Sequence, residues 1–256
     1  ALAVLPKQCD VTKLFQNYAH PRPMRPSHEA NVTASARALG APDASEPLAA
    51  GVWTLAGGRL IIAERGGPAT ILVPTEQVRL LAVDLPLANR AKRLEALPFA
   101  IEDQIAEPIE SVHLALGAEI APKRYLVGVV RHEVMAGWMA TAEEAGLGQA
   151  AMVPDALGLP RLAEGEWAVD LAAERAMVRA GDGTGFAIPP AMLQPAWQAA
   201  GRPAASSYGA PLPAEMMAGG ATLAPEALSE RLLAPALDLR QGLYARRRAA
   251  LPDIWR

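Results

Sequence analysis

Cysteine is nearly absent from this sequence: Cys9 is the single one among 256 residues. One cysteine can form neither a disulfide within the chain nor a thiolate metal site, which takes several. The chain therefore has no covalent framework, and its use of cysteine fits a reducing compartment.

Long apolar runs and an excess of basic charge are missing as well. No run approaches the roughly 18 consecutive apolar residues of a membrane span, and the first residues lack the charged-then-apolar order of a signal peptide. A formal net charge of -3 excludes the strongly basic balance typical of nucleic-acid binding. With 51% hydrophobic and 20% charged residues, we expect a soluble cytoplasmic chain that forms one large domain or two ordinary ones.

Signatures of catalysis are scarce too. Histidine is the usual general base, and the chain has four, His20, His28, His113 and His132. His132 has Glu133 beside it, but sequence neighbours on a helix do not face each other. The sequence contains neither a nucleophile elbow, nor an HExxH pair, nor a cluster with metal-ligand spacing. We therefore predict no catalytic residue, no metal and no cofactor.

Two glycine-containing stretches come closest to phosphate-binding loops. They are "TLAGGRL" at 54 to 60 and "GDGTG" at 181 to 185. Backbone amides of successive glycines can hold a phosphate, but neither stretch has the lysine and hydroxyl residue of a P-loop. Because each lies between two strand-like runs, the pattern favours hairpin turns.

Residues 1 to 47 differ from the rest of the chain. Their prolines break every candidate helix, and "HPRPMRP" favours an extended polyproline segment. We predict a poorly ordered proline-rich arm here, in which "ALAVL" at 1 to 5 could still add a short strand to the sheet that follows.

Paired strands and helices fill the next part, a predicted first subdomain at 48 to 154. "GVWTLA" and "RLIIAER" predict a hairpin, "ATILVP" and "QVRLLAVDLP" two more strands, and "HLALGAE" with "KRYLVGVVR" another pair. In the fourth strand Val78, Leu80, Ala82 and Asp84 face one side, and Leu81, Val83 and Leu85 the other. "HEVMAGWMATAEEAGLG" predicts a helix whose buried stripe consists of Val134, Met135, Trp138, Met139 and Ala142.

A second amphipathic helix starts near residue 90. Leu94, Leu97, Ile101 and Ile105 recur at three and four residues, so we expect them to form one buried stripe. Pro98 removes the hydrogen bond to the carbonyl of Leu94, which predicts a kink or a split at that point.

A similar order of hairpins and a helix recurs after "MVPDALGLP", which predicts a second subdomain at 155 to 240. "EWAVDLAAERAMVRAGDGTGFAIP" holds three strands, and "AMLQPAWQAAG" a short helix. We expect a loop at 201 to 224, a final helix in "PEALSERLLAPA", and a strand in "LDLRQGLYARRR" that leads into a basic tail at 241 to 256.

Two charged segments are candidates for binding. The first is the acidic end of the helix near residue 90, whose candidate residues are Glu95, Pro98, Glu102, Asp103, Glu107 and Glu110. They are either a solvated surface or a rigid edge that docks a basic protein partner. The second is the tail with Arg246, Arg247, Arg248, Trp255 and Arg256, which is either a plain basic tail or a segment next to a membrane.

Three stretches together resemble the cytoplasmic domain of general secretion pathway protein L, from the bacterial type II secretion system. They are "VPTEQVRLLAVDLP", "LEALPFAIEDQIAEPIESVHLALG" and "MVPDALGLP". In that family a valine-proline-x-glutamate strand end precedes a similar helix, and Pro98 is itself part of the pattern. "LDLRQGLYARRR" is similar to the family's exit toward a single membrane span, which we expect beyond Arg256.

The resemblance implies a mixed α/β fold of the actin-like and ribonuclease H-like type, related to the pilus protein PilM. It implies a non-enzymatic platform component at the cytoplasmic face of the bacterial inner membrane. The implied partners are the secretion ATPase, or E protein, through its N-terminal domain, and the M protein across the membrane. Self-association is implied as well, whereas nucleic acid is not. The alternative is a nucleotide-binding, PilM-type assembly ATPase, which would need phosphate loops at two strand turns.

Overall fold

Three β-sheets and four α-helices make up the computed structural model, which describes residues 50–217, 219–224 and 226–246. The proline-rich arm with its possible strand at 1 to 5 lies outside the described residues, as does the tail beyond Arg246. Contact density divides the chain into Ala1–Pro47 and Leu48–Arg256, and every described residue belongs to the second unit. The finer division at residue 155 stays a prediction.

Sheet A begins with the predicted hairpin. Strands β1 (Val52–Ala56) and β2 (Arg59–Glu64) pair antiparallel. Gly57 and Gly58 connect them with φ angles of 55° and 74°, a left-handed conformation that glycine adopts without steric cost. β3 (Thr70–Val73) lies parallel to β1 on its other side, and β7 (Ala151–Pro154) lies parallel to β3.

Sheet B consists of three antiparallel strands from the middle of the chain. They are β4 (Arg79–Asp84), β5 (Val112–Ala121) and β6 (Arg124–Arg131), with β6 in the centre. Helix α1 (Arg90–Ile101) connects β4 to the β5 side of the sheet, and α2 (His132–Glu144) follows β6 directly. The predicted strands of this region are all confirmed.

Sheet C is formed by the later strands, in the order β10-β9-β8-β11. Its members are β8 (Glu166–Leu171), β9 (Ala176–Ala180), β10 (Gly185–Ile188) and β11 (Ala204–Ser207), of which β11 is parallel to β8. The prediction of a loop at 201 to 224 is wrong for β11. Its sequence is alanine and serine, which carry little strand propensity, so the pairing with β8 determines its structure.

Sheet B separates two apolar cores. One face of sheet B packs with side chains of sheet A and α2, and the other face packs against α1. The alternation predicted in β4 is confirmed, because Leu80 belongs to the first core whereas Leu81 and Val83 belong to the second. In α2 the predicted stripe is also confirmed: Met135, Trp138 and Ala142 are buried, and Val134 and Met139 pack against the same core.

Helix α1 departs from its prediction in two ways. It is continuous from Arg90 to Ile101 and is not split at Pro98. Its buried residues are Leu97 and Ile101, whereas Leu94 is 40% exposed and Ile105 lies beyond the helix in extended backbone. The helical part of the stripe is shorter than predicted because α1 ends at Ile101, although Ile105 still packs partly buried against the second core.

The end of the described chain also differs from its prediction. The final helix α4 spans Leu228–Arg231, whereas a longer helix was expected. The segment after residue 236 is not a strand: within the described residues it has no regular structure apart from a 3-10 turn at Gly242–Tyr244. Helix α3 (Leu193–Ala199) agrees with the short helix expected there.

Candidate partner-binding surface

Helix α1 carries most of the candidate residues, and its orientation is fixed at its beginning. Asn89 is the N-cap, because its Oδ1 accepts a hydrogen bond of 2.9 Å from the Lys92 amide. Arg93 donates to the Leu87 carbonyl at 2.8 Å, and its guanidinium lies 4.5 Å from the centre of the Tyr125 ring. These contacts hold the helix on sheet B, and its opposite side faces outward.

The acidic candidates lie on that outward side and on the segment that follows. Glu95, Glu102, Asp103, Glu107 and Glu110 are all exposed, and Pro98 is half-buried. Among the described residues, none of the five carboxylates has a hydrogen bond or an ion pair. Glu107 and Glu110 follow the helix, on either side of Pro108. Five acidic groups near one helix therefore have no partner within the part of the chain that the structure describes.

An exposed aromatic side chain lies among these acids. Phe99 is 80% exposed, the largest exposure of any aromatic side chain among the described residues. Residues four apart on a helix are neighbours, so Glu95 lies one turn before Phe99 and Asp103 about one turn after it. Leu94, at 40% exposed, adds apolar area. We call Leu94, Glu95, Phe99, Glu102 and Asp103 the α1 surface.

Phe99 was not among the residues singled out from the sequence, although a signal was present. The buried stripe of α1 contains Leu97 and Ile101, and Phe99 lies between them in sequence, on the other side of the helix. A phenylalanine at a polar-face position of a helix has no core to fill. An aromatic side chain with an acidic rim suits a partner that presents an apolar pocket surrounded by lysine or arginine.

The two described histidines have structural contacts. His113 is buried, and its Nε2 donates to the Leu239 carbonyl at 2.7 Å. His132 Nδ1 lies 2.9 Å from the Tyr244 hydroxyl, which donates to the His132 carbonyl at 3.2 Å. Burial lowers the pKa of His113, and the nearby His132 adds to that effect. Among the described residues, no group of three or more acidic, histidine or cysteine side chains could hold a metal ion.

Both glycine-containing stretches are turns between antiparallel strands. "TLAGGRL" closes the β1–β2 hairpin, and "GDGTG" closes the β9–β10 hairpin. In the second turn Asp182 Oδ1 accepts from the amide and the hydroxyl of Thr184, at 2.8 and 2.7 Å. The aspartate therefore stabilises its own turn.

A buried polar cluster at the ends of β3 and β7 was not recognised from the sequence. Asp155 Oδ1 accepts from the amide and the hydroxyl of Thr75, at 3.1 and 2.7 Å. Arg175, which precedes β9, pairs with both Asp155 and Glu76. The cluster joins sheet A to sheet C. Its signal was present in "VPTE" and "VPDA", two strand ends of the same form.

The basic candidates lie almost entirely outside the described residues. Arg246 is described, and it forms an ion pair with Asp238. Arg247, Arg248, Trp255 and Arg256 are not. Within the described part of the chain, no helix has the length and apolar character needed to cross a membrane.

A model of the family "Type II secretion system (T2SS), protein L" matches residues 41–247 of this chain. Curated relatives named "Type II secretion system protein L" match as well. The relative from Pseudomonas aeruginosa is 39% identical over 99 residues, which are 39% of this chain and 26% of the relative. The one from Klebsiella pneumoniae is 30% identical over 227 residues, which are 84% and 52%. The chain thus spans about half or less of the length of these relatives.

A solved structure has the same fold. It is the cytoplasmic domain of EpsL, described as an inner membrane component of the type II secretion system of Vibrio cholerae. The match has a TM-score of 0.56 and 19% identity, and it covers 68% of this chain and 78% of that domain. The predicted fold class is therefore confirmed as a mixed α/β fold with several sheets, whereas its actin-like type stays a prediction.

Proposed function

Because the chain belongs to the family of type II secretion system protein L, we propose that it is a platform component that recruits the secretion ATPase through the α1 surface. The partner is the N-terminal domain of that ATPase, the E protein. The observation that carries the proposal is the exposed Phe99 among carboxylates that have no partner among the described residues. Exposed apolar side chains rimmed by polar residues often mark sites where a protein binds a partner.

The surface suits recruitment for physical reasons. Phe99 supplies a large apolar contact, and burying it in a partner's pocket removes most of its ring from water. Glu95, Glu102 and Asp103 surround it with negative charge, which orients a basic partner and speeds its association. Since α1 packs firmly on sheet B through Leu97 and Ile101, the surface is presented without a large ordering cost.

The wider role follows from the family. We propose that the chain lies at the cytoplasmic face of the inner membrane, because its relative EpsL is an inner membrane component. There it holds the ATPase without enzymatic activity and passes its conformational changes to the M protein and to pseudopilus assembly. Self-association of the platform is part of this proposal. Nucleic acid is not a partner.

The experiment is a binding titration of the 256-residue chain with the N-terminal domain of the cognate secretion ATPase. We expect a defined complex whose affinity decreases between low and high salt, because charged rims are screened. Phe99→Ala should weaken binding by at least about tenfold. The pair Glu102→Lys and Asp103→Lys should weaken it at low salt and reduce its dependence on salt.

Matched variants separate a specific surface from a general charge effect. Glu144→Lys with Glu174→Lys makes the same change in net charge at two other exposed acids, and Leu233→Ala shortens another exposed apolar side chain. These variants should bind like the unmodified chain. If Phe99→Ala and the charge reversals at Glu102 and Asp103 bind as tightly as the unmodified chain, the interface does not lie on the α1 surface. No complex between folded partners would reject recruitment.

A further inference from the structure

The end of the described chain forms a segment over sheet B and the first core, which we call the strap (Ala236–Arg246). Leu237 and Leu239 are almost completely buried and belong to the first core. Most of its anchors are polar contacts to elements far away in sequence. A tail that only led away from the domain would not need such contacts.

Two glycines in sheet B make room for the strap. A Cβ atom at Gly117 of β5 would lie 2.6 Å from the Ala236 carbonyl oxygen. A Cβ atom at Gly128 of β6 would lie 2.7 Å from Leu237 Cδ2 and 2.9 Å from Leu239 Cδ2. The absence of side chains at both positions allows the strap to lie directly on the sheet.

Hydrogen bonds tie the strap to sheets A and B at the same time. The Leu239 amide donates to the carbonyl of Met152 in β7 at 2.8 Å, and the Met152 amide donates to Asp238 Oδ1 at 3.1 Å. On the other side, the Ala118 amide of β5 donates to the Ala236 carbonyl at 2.7 Å. The buried Arg240 donates to the carbonyls of Gly148 and Ala150, just before β7.

The strap also contacts the first residue of each long helix. Arg90 begins α1, and its Nη2 donates both to Gln241 Oε1 at 2.7 Å and to the Leu116 carbonyl at 2.9 Å. Gln241 in turn donates to that carbonyl at 3.1 Å. His132 begins α2, and it contacts the hydroxyl of Tyr244. Movement of the strap therefore changes the surroundings of both helix starts.

We propose that the strap regulates the α1 surface, with Gln241 as the positioning residue that acts through Arg90. When the strap is seated, Gln241 holds Arg90 against β5, and the first turn of α1 is fixed. When a load or a partner at the Arg246 end lifts the strap, that turn loses its hydrogen bond to Gln241 and keeps only its contacts with sheet B and Leu87, so the start of α1 loosens. This inference rests on the proposed function, since it assigns a control to the same surface.

Thermodynamic linkage makes the coupling reciprocal. If seating the strap raises the affinity of the α1 surface for its partner, occupation of that surface stabilises the seated strap by the same factor. Binding of the ATPase would thus shift the strap toward its seated position, and this shift would be felt by the segment that follows Arg246. Phe99 and Gln241 are connected through helix α1 and the Arg90–Gln241 hydrogen bond. The coupling can therefore pass through contiguous contacts without a change of fold.

Hydrogen–deuterium exchange on the 256-residue chain, without any partner, tests the coupling. Gln241→Ala removes one of the two acceptors of Arg90 and leaves the Leu116 carbonyl. The amides of Arg93 to Leu97 should exchange about tenfold faster, because a hydrogen bond to a charged group is lost. Tyr244→Phe is the matched control: it removes the strap's hydroxyl contact with His132 and should leave α1 unchanged while the start of α2 exchanges faster. A uniform increase across the chain, or no change in α1 with Gln241→Ala, would overturn the proposal.

The same variants in the titration with the ATPase domain complete the test. Gln241→Ala should weaken binding by several-fold although Gln241 lies outside the α1 surface, and Tyr244→Phe should not. If Gln241→Ala changes α1 exchange but leaves the affinity unaltered, control of the surface is rejected while recruitment stands. If the unmodified chain shows no binding, recruitment fails, and the exchange data still decide whether the strap positions α1.

Discussion

The buried Asp155 joins three segments of the chain through a single carboxylate. Its carboxylate accepts hydrogen bonds from Thr75 and also pairs with Arg175, so three segments far apart in sequence converge on one buried group. Replacing Thr75, Asp155 or Arg175 by an apolar residue leaves a buried polar group without its partner, which lowers the free energy of unfolding by about 1–3 kcal/mol. Thr75 of "VPTE" and Asp155 of "VPDA" therefore belong to one buried cluster, and each depends on the other for its hydrogen bonds.

His113 makes the stability of the chain depend on pH. Burial holds its pKa in the folded state below the ordinary value of 6.5, so the unfolded chain binds a proton more readily. The contribution of His113 is therefore complete above about pH 6.5 and is lost as the pH falls through its folded pKa. Its ring neighbours are His132 and Tyr244, and neither carries a negative charge that would offset the added proton.

The measurement is the free energy of unfolding in urea from about pH 7.5 to about pH 5. We expect a decrease below about pH 6.5 with a slope of at most about 1.4 kcal/mol per pH unit from this residue. His113→Gln keeps a donor for the Leu239 carbonyl but cannot be protonated, so its profile should be flatter. An equally steep profile in the variant would assign the slope to other groups.

At the scale of elements, Pro98 lies inside a continuous helix where it cannot donate to the Leu94 carbonyl. We predict that Pro98→Ala stabilises the chain by about 1–2 kcal/mol, since restored helix propensity exceeds the entropy that proline removes from the unfolded state. Pro108→Ala is the control: that proline precedes a 3-10 turn, so its loss should destabilise slightly.

Thermal and urea unfolding of the two variants check this prediction. A stabilised Pro98→Ala chain that binds the ATPase domain less well would show that the proline shapes the α1 surface. A destabilised Pro98→Ala chain would contradict the prediction and would mean that packing of the proline ring outweighs the missing hydrogen bond.

The elements that local patterns determine were predictable. The β1–β2 hairpin follows from two glycines between alternating strands, and β4 follows from its period of two. β11 and the strap were not predictable, because alanine, serine and single polar residues adopt these conformations through distant partners. The exposure of Leu94 has the same cause: helical spacing gives neighbours on one face, but the contacts of sheet B decide how wide a stripe is buried.

At the scale of the whole molecule, the candidate site was predictable in part. Charge indicated an acidic region at the end of α1, and the structure exposes all five acids there. Phe99 could have been found from spacing, because it lies between Leu97 and Ile101 of the predicted stripe and so on the opposite side of the helix. Gln241 could not, because its role depends on a contact across 151 residues. The division into two subdomains stays a prediction.

Nucleotide binding is the functional alternative that concerns the whole molecule. Titration calorimetry of the 256-residue chain with ATP and Mg²⁺ should give no binding heat, because both glycine-containing stretches close hairpins and "GDGTG" uses its aspartate for its own turn. Titrating the secretion ATPase under the same conditions provides the positive control. A saturable heat with the chain would favour the PilM-type assembly ATPase.

The strap has a consequence for how the protein is made. Gln241 leaves the ribosome 151 residues after Arg90, which at about 5–20 residues per second is a delay of roughly 8–30 s. In the part of that interval that follows the synthesis of Gly128, the apolar surface of sheet B at Gly117 and Gly128 is uncovered and can contact wrong partners. Chaperone dependence during synthesis should therefore centre on this surface until the strap covers it.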